Sequence, residues 1–280
     1  MKRALYVTLG AVWRSFVAAL LPSVCALCGA RSQDALCRGC AHCLADAASR
    51  CPQCGIPVEA GAEVSREVSR EVSREANREI GPEFGVRVGT AFNDPDRNAF
   101  RTVCGRCIAS APAFDATVCV ADYVEPADSL AIALKFHGQL ALATLFGSVL
   151  AARIQEQQLP LPDVIVPVPL SSARLASRGY NQAWEIARVT ARRIRRPAQP
   201  RCLVRTRDTR AQSGLRGADR WRNMRRAFVV AHPERVRGAH VGLVDDVMTS
   251  GATLDAAARA LKRAGAVRVT VFAVLRTPTP

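Results

Sequence analysis

The chain has 280 residues, of which 49% are hydrophobic, 22% charged and 5% aromatic. This composition excludes a disordered chain and predicts one or two globular domains with cores built from Ala, Val and Leu. The net charge is +15, and residues 171–240 hold most of the excess, with 18 Arg and no Lys against two Asp and two Glu, which predicts a polyanionic partner such as phosphate, pyrophosphate or nucleic acid.

Residues 1–22 are predicted to form an amphipathic N-terminal helix. The first three residues include Lys2 and Arg3, and the apolar stretch that follows is interrupted by Arg14. That stretch is too short and too polar for an integral membrane span. Apolar residues from Trp13 to Leu21 recur at helical spacing, so we expect this helix to pack on the first cysteine pairs, with contact at a membrane surface as the alternative.

Residues 23–112 are rich in cysteine, and eight of the 11 Cys form Cys-x-x-Cys pairs. In a reducing compartment this spacing indicates metal binding rather than disulfides. Two closed sites of four cysteines each leave no open coordination position, so we predict two structural Zn²⁺ ions. Sequential pairing of the motifs is the simplest, while crossed pairing and a ligand from His42 or Cys43 stay open. The predicted ligands are Cys25, Cys28, Cys37, Cys40, Cys51, Cys54, Cys104 and Cys107.

An insert at about residues 60–100 interrupts this cysteine-rich part. The tetrapeptide Val64–Glu67 recurs at Val68–Glu71 and Val72–Glu75 and degenerates at Ala76–Glu79. A four-residue period keeps the apolar residues on one slowly drifting helical stripe. We interpret the repeat as a sequence expansion that forms a solvated helix or a loop, without a functional role.

Residues 113–280 alternate between strand and helix patterns. This order predicts a parallel sheet flanked by helices, in which ligands sit outside the carboxyl ends of the strands. The predicted strands are 118–123, 164–168, 203–206, 227–230, 241–244 and 268–275, and the predicted helices are 129–136, 140–157, 181–194 and 253–264.

The segment from Val241 to Thr253 carries the most specific chemistry. An apolar strand runs into Asp245 and Asp246, and a loop of small residues and a helix follow. Loop amides, hydroxyls and the helix N-terminus suit a phosphate, while the two carboxylates suit vicinal hydroxyls or a hydrated Mg²⁺. A phosphate site beside a site for vicinal hydroxyls indicates ribose 5-phosphate as the ligand. The structural alternative is an Asp that caps a helix. The predicted phosphate ligands are Val247, Met248, Thr249, Ser250, Gly251, Ala252 and Thr253.

A pyrophosphate group would need its own cations. Arg174 and Arg178 follow the predicted strand at 164–168, and Lys135, one of only three lysines, ends a predicted helix. We assign Arg174 and Arg178 to the pyrophosphate and Lys135 to the catalytic group with Asp245 and Asp246. The polar segment 207–226 is the predicted lid that excludes water, with a solvated basic loop as the alternative. Its predicted contacts are Arg207, Thr209, Gln212 and Ser213.

Together these motifs resemble the ComF family of competence-associated bacterial proteins. The resemblance implies a type I phosphoribosyltransferase α/β domain preceded by a double zinc ribbon, and it implies binding of phosphoribosyl pyrophosphate (PRPP) with Mg²⁺. It also implies a bacterial cytoplasmic location, at the inner face of the membrane as a variant, and handling of single-stranded DNA with other competence proteins. The matching segments are Cys25–Cys54, Cys104–Cys107, Lys135–Gly138, Val166–Pro169, Arg178–Gln182, Gln212–Leu215, Arg222–Arg225 and Val244–Thr253.

Two functions remain open at this point. In the first, the protein is an enzyme that transfers a phosphoribosyl group from PRPP to an unidentified acceptor and releases pyrophosphate. In the second, it is a binding protein whose zinc ribbon and Arg-rich segment hold single-stranded DNA through phosphate contacts. The alternative interpretation of the basic block is a solvated surface in an Arg-favouring genome, and a purely structural zinc protein is the weakest alternative.

Overall fold

The computed structural model describes residues 23–32, 36–44, 49–58, 103–206 and 227–278. Its cysteine-rich part contains strands β1 (Ser23–Val24) and β2 (Arg31–Ser32), which form an antiparallel ribbon, and the short helices α1 (Arg38–Leu44) and α2 (Gly105–Ala109). The predicted N-terminal helix, the repeat insert and the predicted lid lie outside the described residues. A domain boundary at residue 113 stays a prediction.

A four-stranded parallel sheet forms the middle layer of the rest of the chain. Its strands lie in the spatial order β3-β8-β7-β4, and a separate antiparallel ribbon consists of β5 and β6. The strands are β3 (Ala116–Asp122), β4 (Val164–Pro167), β5 (Leu203–Arg205), β6 (Phe228–Val230), β7 (His240–Met248) and β8 (Arg268–Arg276).

Helices cover both faces of this sheet, which explains why its strands read as continuous apolar runs. The side chains of Val244 and Phe272 are buried on one face with α3, α4 and α6, and those of Leu243 and Val271 are buried on the other with α7 and the β5–β6 ribbon. The helices are α3 (Ala127–Phe136), α4 (Ala141–Glu156), α5 (Ser172–Arg178), α6 (Gln182–Arg193) and α7 (Ala252–Arg263).

The predicted α/β architecture is confirmed, and three local features differ from the predicted elements. Strand β7 continues through Asp245 and Asp246 to Met248, because β8 pairs alongside it as far as Arg276. Strands β5 and β6 form a separate ribbon, because they pair with each other and not with the parallel sheet. Helix α5 was not predicted. It begins at a cap in which the Ser171 hydroxyl accepts from the Arg174 amide, and it ends at Gly179 in the left-handed region.

Across the described segments, the structure contains no helix with the length and apolar character needed to span a bilayer. The longest described helix, α4, has 16 residues.

Candidate functional site

The two adjacent acids at the end of β7 have different surroundings. Asp245 is half-buried and lines a small cavity of about 30 Å³ together with Thr249, Gly251 and Thr253 of the following loop. Asp246 is only 4% exposed. Because successive residues of a strand point to opposite faces of a sheet, the two carboxylates cannot share one orientation.

Asp246 forms an ion pair with a residue from a distant helix. Its Oδ2 lies 2.9 Å from Nζ of Lys135, which lies in the last turn of α3. The structure therefore brings together two residues that the sequence placed 111 positions apart. Burial of a carboxylate is costly without a compensating cation, and Lys135 supplies that cation to Asp246.

The carboxyl of Asp245 holds its proton more tightly than an ordinary carboxyl. Burial raises the pKa of Asp245 well above its usual range, and the negative charge of Asp246 raises it further. The amide of Asp246, which donates to Asp245 Oδ1 at 2.9 Å, and the charge of Lys135 oppose this increase in the pKa. A raised carboxyl pKa beside a cavity is typical of a functional group.

The loop after β7, residues 249–251, and the first turn of α7 offer free donors. Gly251 has φ +80°, a left-handed conformation that glycine adopts without strain, and it precedes the first turn of α7. Within the described part of the chain, the backbone amides of Thr249, Ser250, Gly251 and Thr253 donate to no protein acceptor. Unpaired amides at the start of a 12-residue helix form an anion site.

The loop's carbonyl groups, in contrast, are bonded to the protein. The amide of Thr277 donates to Met248 O at 3.0 Å, and the guanidinium of Arg276 donates to the carbonyls of Met248 and Thr249. Arg276 is the last residue of β8 and is 2% exposed. A role for Arg276 was not predicted, although a charge at the end of the apolar run from Val269 to Leu275 is a signal that could have identified this residue.

An arginine and an aromatic ring lie next to Lys135. The guanidinium carbon of Arg178 lies 5.3 Å from the ring centroid of Phe136, and its Nη1 donates to Gln182 Oε1 at 2.5 Å. Phe136 is 70% exposed, which is unusual for a large apolar side chain and was not predicted. Arg174 is exposed on α5, and within the described residues its side chain forms no ion pair with Asp245 or Asp246.

Eight cysteines form two clusters, and the sequential pairing is the one that the structure shows. In each cluster the four Sγ atoms lie within 4.8 Å of one another. The Sγ–Sγ distances of 3.7 Å for Cys28 and Cys37 and 3.5 Å for Cys54 and Cys104 are close to the edge of about 3.8 Å in a tetrahedral Zn–thiolate site. The first centre is Cys25, Cys28, Cys37 and Cys40, and the second centre is Cys51, Cys54, Cys104 and Cys107.

These distances and this donor set fit two structural zinc ions. Backbone hydrogen bonds, with the largest contribution from Cys28, lower the pKa of Cys25 to about 6. Four thiolates give zinc a closed tetrahedral shell, so neither centre would offer an open position for catalysis. The side chains of His42 and Cys43 lie outside the described set, while Cys119 and Cys202 are buried, as expected for core cysteines.

The second centre is attached directly to the parallel sheet. Thr117 of β3 donates through its amide to Pro52 O at 2.9 Å and through its hydroxyl to Gln53 O at 2.6 Å. The next carbonyl along the chain, that of Cys54, accepts from Arg276 Nε at 3.0 Å. The cysteine-rich part thereby accepts a backbone hydrogen bond from the edge strand β3, whose donors would otherwise be exposed.

Comparisons with known proteins agree with this arrangement. The model of the double zinc ribbon domain matches residues 16–71, and the model of the phosphoribosyl transferase domain matches residues 149–279. The fourth cysteine pair lies beyond the first of these ranges, after the insert.

Three curated relatives are similar to the chain. The DNA utilization protein YhgH of Salmonella typhi is 32% identical over 265 residues, which are 92% of this chain and 98% of the relative. Competence protein F of Haemophilus influenzae is 32% identical over 62% of this chain and 78% of its own length. Competence protein ComFC of Bacillus subtilis is 30% identical over 51% of this chain and 57% of its own length.

Proposed function

Because the chain belongs to the ComF family of competence proteins, we propose that its phosphoribosyltransferase domain binds PRPP at the carboxyl edge of β7. The observation that carries the proposal is the loop after β7. Among the described residues, the amides of Thr249, Ser250 and Gly251 donate to no protein acceptor, while the carbonyls of Met248 and Thr249 are bonded to the protein. Such a loop can receive a phosphate without first breaking its own hydrogen bonds. Asp245 lines the same cavity and is the acceptor for the ribose hydroxyls.

We assign the remaining residues by charge and position. The 5-phosphate binds to residues 247–253, and Asp245 accepts from the ribose hydroxyls, with Asp246 held beside it by Lys135. The pyrophosphate binds to Arg174 and Arg178 of α5. The lid residues close over the site, and they are Arg207, Thr209, Gln212 and Ser213. Bound Mg²⁺ would neutralise pyrophosphate charge, and the carboxylate of Asp245, which lines the cavity, is the group that fits it.

We further propose that the domain catalyses transfer. The bond between ribose C1 and the pyrophosphate oxygen breaks, and pyrophosphate leaves with the bonding electron pair. A nucleophile of the acceptor forms the new bond to C1 and loses its proton. Cations at the pyrophosphate stabilise the charge that develops on the leaving group, and exclusion of water prevents hydrolysis of the ribosyl centre.

The direct test is PRPP binding by calorimetry in the presence of Mg²⁺. We expect Asp245→Asn to weaken binding by about tenfold or more, because it removes a charged acceptor at the ribose. Glu156→Gln is the matched control, since it removes one exposed carboxylate at the end of α4. Equal affinities for the wild type and Asp245→Asn would contradict the proposed site, and absence of binding by the wild type would contradict the proposed function.

Transfer is tested separately by pyrophosphate release from PRPP. We expect release only in the presence of the correct acceptor, so nucleobases, amines and oligonucleotides are tried in turn. Thermal stabilisation by PRPP without pyrophosphate release under any of these conditions would leave a PRPP-binding protein and would contradict the transferase.

One observation favours single-stranded DNA as a second ligand. The exposed ring of Phe136 lies beneath the guanidinium of Arg178, which gives a stacking surface beside a cation. Aromatic stacking and phosphate contacts are the means by which proteins hold single strands. The names of the relatives, DNA utilization protein and competence protein, are consistent with this ligand. We also propose a bacterial cytoplasmic location, in which thiolates stay reduced, and contacts with other competence proteins.

Binding of a fluorescent oligonucleotide tests this second function. We expect Phe136→Ala to weaken binding by about fivefold to a hundredfold, on the scale of one base–aromatic stack. Val267→Ala is the control, because Val267 is 68% exposed and immediately precedes the amino-terminal end of β8, whereas the candidate site lies at the carboxyl ends of the strands. Affinity that is the same in both variants, or that does not fall as salt rises, would argue against DNA binding at this surface.

A further inference from the structure

Arg276 is a buried cation with an unusual set of partners. Its guanidinium donates to four carbonyl oxygens, and among the described residues it takes part in no ion pair. Nε donates to Cys54 O at 3.0 Å, on the side of the second centre. Nη1 donates to Met248 O at 3.1 Å, to Thr277 O at 2.7 Å and to Thr249 O, on the side of the phosphate loop.

The second centre can supply the negative charge that Arg276 lacks. A guanidinium that is 2% exposed is costly to bury without a counter-charge. Four thiolates around one divalent cation leave a net double negative charge. Arg276 contacts the second centre at Cys54, a ligand whose side chain is also buried. The loaded metal centre would therefore both fix the Cys54 carbonyl and neutralise Arg276.

The contacts on the other side determine where the loop's amides point. A trans peptide group is planar, and its C=O and N–H point in opposite directions. Arg276 binds the carbonyls of Met248 and Thr249, so the N–H groups of the next residues, Thr249 and Ser250, point away from it. These are two of the free donors that suit a phosphate.

We propose that the second metal centre organises the phosphate loop through Arg276, which acts as a positioning residue and touches no substrate. A cavity of about 280 Å³ lies between the second centre and the loop and is lined by Cys107, Ser250 and Arg276. Since a void transmits no packing force, the polar link through Arg276 carries the coupling across it. The consequence for PRPP rests on the proposed function, whereas the coupling between metal and loop does not.

The first readout of this coupling needs no ligand. The Thr277 amide donates to Met248 O at 3.0 Å, so its hydrogen exchange, followed by nuclear magnetic resonance, reports the order of the loop. We expect Arg276→Met to keep two bound zinc ions and to accelerate this exchange about tenfold, because two loop carbonyls lose a charged donor. Arg276→Lys should restore it only in part, since an ammonium lacks the planar fork of a guanidinium.

The second readout compares the two metal centres. Cys104→Ser in the second centre should accelerate exchange at Thr277 and weaken PRPP binding about tenfold, as Arg276→Met does. Cys28→Ser in the first centre is the matched control and should change neither. If Cys104→Ser does not fold, the exchange rates of the Arg276 variants test the coupling without it.

The proposal is overturned if Arg276→Met, with both zinc ions bound, shows wild-type exchange at Thr277. It is also overturned if Cys28→Ser and Cys104→Ser fold and loosen the loop equally. Failure of the wild type to bind PRPP would contradict the proposed function, while the exchange measurements would still decide the coupling.

Discussion

At the scale of single residues, Asp245 and Asp246 are adjacent in the sequence but differ in their surroundings and their chemistry. Asp246 is buried in an ion pair with Lys135, while Asp245 lines the cavity and has a raised carboxyl pKa. The repulsion between the two carboxylates is relieved because one carries a cation and the other retains its proton longer.

This difference predicts a pH dependence of PRPP binding. Asp245 must be ionised to accept from both ribose hydroxyls or to hold Mg²⁺, so we expect affinity to rise as pH rises through its elevated pKa. The charges that face it are those of Asp246 and Lys135. Calorimetry across pH on the wild type and on Asp245→Asn isolates this group, because titration of PRPP itself is common to both. Identical pH profiles would contradict the assignment.

Stability of the free protein should respond in the opposite direction. The folded-state pKa of Asp245 is raised, so the folded state keeps a proton that the unfolded chain releases, and stability falls as pH rises from the ordinary carboxyl pKa to the raised one. Asp245→Asn should therefore unfold with a higher free energy than the wild type at neutral pH. A residue that costs stability while it serves binding is typical of a functional site.

At the scale of elements, the close contact between α4 and α6 fixes the position of α6, the helix that follows Arg178 at the end of α5. Gly147 allows this approach, since a Cβ there would lie 2.7 Å from Val189 Cβ and 2.8 Å from Ile186 O. The Thr190 hydroxyl also donates to Gly147 O at 3.2 Å. The two helices are thus in contact through backbone atoms, which leaves little room for adjustment.

We expect Gly147→Ala to lower the free energy of unfolding by about 1–3 kcal/mol, because the added methyl group overpacks this contact. The opposing gain in helix propensity is smaller, at about 1 kcal/mol. Urea unfolding gives the measurement, and Gly105→Ala is the control, since a Cβ at Gly105 would meet nothing within 4 Å. A stabilised Gly147→Ala would show that the helices separate easily.

At the scale of the whole molecule, the cysteine-rich part closes one edge of the parallel sheet. The first centre contributes Cys25 to the apolar cluster on the α3–α4 face, and the second contributes Cys51 and Cys54 to the cluster on the α7 face. Strand β3 lies at this edge, and its Thr117 binds the second centre's turn. The metal centres therefore contribute to the same core as the phosphoribosyltransferase domain, and are not separate from it.

The amino-acid sequence by itself determined the four cysteine pairs, the α/β order and the strand–loop–helix pattern from Val241 to Thr253, because each is a local pattern of residue types and spacing. Only the tertiary structure decided that Asp246 binds Lys135, that Asp245 faces the cavity, and that Arg276 joins Cys54 to the loop. The last contact links residues 222 positions apart. Such contacts depend on how all the intervening elements pack, which no short segment encodes.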